Sequence, residues 1–112
     1  MKNSSPLSEG KKLSVIYRIE PGCLGPKGES IVSSFCTFAQ KEIQTLSSNY
    51  IGLNIVPRND KALPEMEYSA TGKKLSNSQA DKYLSMLGKN LDDFEYELST
   101  KMAALINEYM GH

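Results

Sequence analysis

The residues best equipped for chemistry lie in one loop, "PGCLGPKG", Pro21 to Gly28, between a strand-like run and a helical one. Cys23 is a potential nucleophile, Lys27 a potential anion partner, and Gly22, Gly25 and Gly28 recur at every third position. A thiol just ahead of a helix and close to a cation can be held as a reactive thiolate. The C-x-x-C of thiol–disulfide enzymes is absent, because Leu24, Gly25 and Pro26 follow Cys23, and no internal histidine offers a base. The glycines spell G-x-x-G-x-x-G, which is neither the dinucleotide pattern G-x-G-x-x-G nor the phosphate loop G-x-x-x-x-G-K-[ST]. Lys27 precedes the last glycine and Glu29 follows it, placing a negative charge where an anion would sit. The plainer reading is a turn, with Gly22 and Gly25 at positive φ and Pro26 fixing the approach to the helix.

A second loop, "PRND", supplies Arg58, Asn59 and Asp60 after the next strand-like run. If the two strands are parallel, both loops leave the sheet on the same side. Open α/β sheets bind ligands in the crevice beyond the carboxyl ends of their strands. The amides that open a helix add positive potential there. The expected ligand site is therefore Gly22, Cys23, Gly25, Lys27, Gly28, Arg58 and Asn59, with Cys23 the sole, weak catalytic candidate.

Other chemistry-bearing residues have simpler explanations. Cys36 falls on an apolar helical stripe and is expected in the core. Asp92, Asp93, Glu95 and Glu97 sit in the opening turns of a helix, where they balance its dipole. His112 ends the chain and is given no role. Lys73 and Lys74 read as a solvated pair. Thirteen basic residues balance thirteen acidic ones, and Arg58, Lys61, Lys73 and Lys74 lack interleaved aromatics, which argues against nucleic acid. Two cysteines and one histidine are too few for a disulfide scaffold or a zinc site, so no metal or cofactor is expected.

The positioning elements follow from periodicity. A chain of 112 residues, 39% apolar and 23% charged, suits one soluble domain. Residues 1–11 read as a flexible tail and 12–112 as a single α/β domain. Alternation predicts a strand over Lys12–Glu20. Val32, Phe35, Cys36, Ala39, Ile43 and Leu46 predict a helix over Glu29–Leu46. "YIGLNIV", Tyr50–Val56, is apolar on both faces apart from Gly52 and Asn54 and predicts an interior strand. Glu65–Ala70 predicts a third strand with one wet face, and "ATGKK" a turn. Ser76 with Gln79 forms a capping box, and the helix it opens stops at Gly88. Asn90 opens a last helix, striped by Leu91, Phe94, Leu98, Met102, Leu105 and Tyr109 and closed by Gly111.

The order β-α-β-β-α-α, with a right-handed parallel crossover, predicts a two-layer α/β (α+β) sandwich on a small three-stranded mixed sheet. Its free edges make a homodimer an expectation. With no signal-like or membrane-spanning run, the chain is expected to be a cytoplasmic protein of bacterial type with reduced thiols. Lacking a dyad, triad or metal set, it is expected to be a non-enzymatic binding or regulatory module. A thiol-dependent enzyme or redox sensor using Cys23, and an anion- or nucleotide-binding domain at the glycine loop, are the alternatives.

Overall fold

The computed structural model describes residues 11–44, 46 and 49–111; most of the expected tail, and His112, lie outside them. Alternation builds the first strand, β1 (Leu13–Ile19). Leu13, Val15 and Ile19 are buried on its helix-covered side, and Ser14 and Ile16 are partly exposed on the other. A short 3-10 helix, Pro21–Leu24, turns the chain into α1 (Gly28–Ile43). Then come β2 (Ile51–Pro57), β3 (Met66–Ala70), β4 (Lys73–Leu75), α2 (Asn77–Ser85) and α3 (Leu91–Met110).

The sheet is mixed and four-stranded, in the order β2-β1-β3-β4. β1 and β2 run parallel, from Leu13↔Ile51 to Ile19↔Pro57, while β1–β3 and β3–β4 are antiparallel. Two expectations need correction. The sheet has four strands, because "ATGKK" is a hairpin whose second arm is β4. Thr71 and Gly72 take φ of +50° and +82°, the paired positive values of a type I′ turn.

The second correction concerns β2, which is an edge strand; β1 and β3 are the interior ones. Its second face carries the exposed Asn54 beside Gly52, so the apolar run is half-sided. Its outer edge is closed by a side chain instead of a strand. Gln40 of α1 donates from Nε2 to the Leu53 carbonyl (2.9 Å) and accepts from the Ile55 amide at Oε1 (2.7 Å). One amide group thus does what a neighbouring strand would do, which keeps two backbone polar groups from being orphaned.

Helix stripes form the second layer. Val32, Phe35, Cys36, Ala39 and Ile43 of α1, Ala80 and Leu84 of α2, and Leu91, Phe94, Leu98, Met102 and Leu105 of α3 are all buried. Tyr109 packs edge-on against Phe35 at 5.3 Å, pinning the end of α3 to α1. The caps stand where the sequence puts them. Ser76 and Gln79 complete the capping box, the Asp93 amide donates to Asn90 Oδ1 (2.8 Å), and Gly111 closes α3 at φ +81°.

Candidate functional site

Parallel pairing brings both loops to one end of the sheet. The Arg58 amide donates to the Ile19 carbonyl at 2.9 Å, so the chain leaving β2 is tied to the end of β1. The glycine loop is a series of tight turns, with Cys23 N bonded to Glu20 O (2.9 Å) and Gly28 N to Gly25 O (3.0 Å). Gly25, at φ +88°, needs its lack of a side chain. Gly28 needs it for another reason: a Cβ there would lie 1.8 Å from the Pro21 carbonyl oxygen. Gly22 departs from expectation, since its φ is not positive and a Cβ would meet only Glu20 Cγ, at 3.9 Å. The turn requires two of the three glycines, and the third leaves open space.

That space belongs to a crevice of about 660 Å³ between the loop, the start of α1 and the chain after β2. Gly22, Gly25, Gly28, Arg58 and Asn59 line it, as do Glu20, Glu29 and Lys61. Two expected members lie outside its lining. Cys23 is exposed elsewhere on the 3-10 turn. Lys27 heads α1, its carbonyl accepting from the Ser30 amide (3.0 Å) and hydroxyl (2.8 Å). Asp60 turns back to accept from the Ala62 amide at 2.9 Å.

The crevice is electrostatically self-paired. Glu20 stands 3.5 Å from Arg58 Nη1 and 4.0 Å from Lys61 Nζ. Arg58 also donates from Nη2 to the carbonyls of Leu63 (3.1 Å) and Lys61 (3.4 Å), while its Nε is buried without a partner among the described residues. A buried donor of this kind costs free energy until something accepts from it. The sequence reading placed Glu29 at this loop as an opposing charge, but it did not assign Glu20 or Lys61 to the site. Lys61 follows "PRND" directly, and Glu20 is the last residue before the loop, so adjacency alone would have flagged both.

Cys36 lies in the core, where burial pushes its thiol up to about 11. Among the described residues, no group of three or more His, Cys, Asp or Glu is placed to hold a metal ion. No helix among them is long and apolar enough to cross a membrane. Comparisons with protein-family models, curated proteins and solved structures find no match to this chain.

Proposed function

We propose that this chain is a non-enzymatic binding module that takes a small carboxylate-bearing ligand in the crevice between the glycine loop and Arg58. The buried Nε of Arg58, unpartnered among the described residues, carries the reading, because a guanidinium with an unused N–H suits a carboxylate oxygen as acceptor. A ligand must compete with Glu20, but a half-exposed ion pair at 3.5 Å is worth only about 0–1 kcal/mol. Glu20 and Glu29 offset Arg58 and Lys61, which favours a singly charged anion over a nucleotide polyphosphate. Gly22 supplies the room, and the turn does not need it to be glycine.

Amide NMR titration with sodium acetate, beside pyrophosphate, tests the reading. Saturable shifts at Gly22, Gly25, Gly28 and Asn59 with acetate, lost in Arg58→Ala and in Gly22→Val, are the expected result. Chemical shifts that fail to saturate with either anion would end it.

The thiol alternative rests on the exposure of Cys23. Iodoacetamide labelling across pH decides it, and an ordinary thiol profile removes it. The homodimer remains a separate proposal with a narrower geometry. Gln40 occupies the outer edge of β2, so a second copy would pair along β4. Light scattering over a dilution series should then show mass falling from dimer to monomer.

A further inference from the structure

A second hollow, about 410 Å³, opens between the antiparallel pair β1–β3 and the first turns of α3. Tyr17, Glu65, Met66, Glu95, Tyr96 and Leu98 form most of its wall. It is separate from the crevice and shares no residue with it. We propose that this cavity binds an organic cation, an alkylammonium group held by the Glu65 and Glu95 carboxylates against the Tyr17 and Tyr96 rings.

Four observations converge on that chemistry. Among the described residues no lysine, arginine or histidine lines the cavity, so none of them answers its negative charge locally. Glu65 makes no ion pair among the described residues, unlike Glu20 and Glu67, which are each flanked by two cations. Among the described residues Glu95 takes one hydrogen bond, from the Tyr68 hydroxyl to Oε2, and no salt bridge. Tyr96 is 73% exposed, one of three large apolar side chains left open to solvent among the described residues, and it stands at this cavity.

The hydroxyl of the half-buried Tyr17 has no hydrogen-bond partner among the described residues. Burial chiefly, then the charge of Glu65 and then Cys23, hold its proton more tightly than usual. The phenol therefore stays neutral, and its ring keeps the electron-rich face that attracts cations. Met66 and Leu98 add apolar surface for alkyl groups. An anion would meet two carboxylates here. A neutral apolar ligand would leave both charges unanswered. An alkylammonium ion answers each part of the wall.

Amide NMR titration of the whole chain with choline chloride tests the inference, with uncharged 3,3-dimethyl-1-butanol as the shape-matched control. Choline should give saturable shifts centred on Tyr17, Glu65, Met66 and Glu95–Ser99, and the alcohol should not. Glu65→Gln and Tyr96→Ala, both at exposed positions, should each weaken choline binding about two- to fivefold. Spectra unchanged away from the cavity would show that each variant is folded. Equal response to the alcohol, shifts centred elsewhere, no saturation, or unchanged affinity in both variants would each overturn it. Choline binding without acetate binding would leave this inference standing and remove the carboxylate reading. The reverse result would do the opposite.

Discussion

Tyr17 and Glu20 stand three residues apart on the chain and open onto different hollows, built on opposite principles. Around Glu20 the charges are already paired, with Arg58 and Lys61 within 4.0 Å, and the walls come from loops. Around Tyr17 the carboxylates have no cation among the described residues, and the walls come from a strand pair and a helix. The contrast teaches how a ligand would pay its entry. In the crevice it must displace an internal partner, and selectivity comes from what fits beside Arg58. In the cavity it meets charge that only solvent screens, so its own sign decides whether it enters.

The largest expected effect separates a glycine the turn requires from one it does not. Gly28→Ala drives a methyl into the Pro21 carbonyl and should cost about 3 kcal/mol or more, while Gly22→Ala stays within about 0.5 kcal/mol. Urea unfolding measures both. Comparable losses would mean that the crevice wall is all turn and no vacancy.

Next in size is an alkaline effect that reaches the cavity and the core together. Burial raises the Cys36 thiol from 9.0 to about 11, and it raises the Tyr17 and Tyr68 phenols above 10.0. Each group is protonated more readily in the folded chain, so its contribution is complete below its ordinary pKa and is lost as pH climbs towards the folded value. Stability should therefore fall from about pH 9 upward, with Cys36 responsible for up to about 2 kcal/mol by pH 11. Urea midpoints across that range in the wild type and in Cys36→Ala measure the share. A flat wild-type profile would contradict the burial of these groups.

The smallest effect contrasts the charges themselves. Arg58→Ala removes two carbonyl hydrogen bonds and an ion pair, and should cost about 1 kcal/mol. Glu65→Gln removes a charge with no ion-pair partner among the described residues and should stay within about 0.5 kcal/mol. Equal costs in thermal unfolding would erase the distinction between paired and unpaired hollows.

Local signals proved readable. Ser76 with Gln79, Asn90 and Gly111 mark helix ends through contacts within four residues, and the stripes of α1 and α3 name the core they bury. The parallel run of β1 and β2 followed from the helix between them. Strand β4 escaped because three residues, two of them lysine, carry too little alternation to register beside a turn. The edge position of β2 escaped because Gln40 looks like an ordinary polar helix residue until its amide meets Leu53 and Ile55. Gly22, Gly25, Gly28, Arg58 and Asn59 of the crevice were visible since they fall in two contiguous loops. The cavity was not, because Tyr17, Glu65 and Tyr96 meet only through strand register and helix docking.

Gln40 also limits how this sheet can grow. A peptide seeking main-chain pairing along β2 would first have to evict a side chain that already reads one carbonyl and one amide there. Strand addition is thereby steered to the far side of the molecule, where β4 offers only three residues and two of them are charged. A single glutamine makes one flank of the protein poor ground for amyloid-like templating.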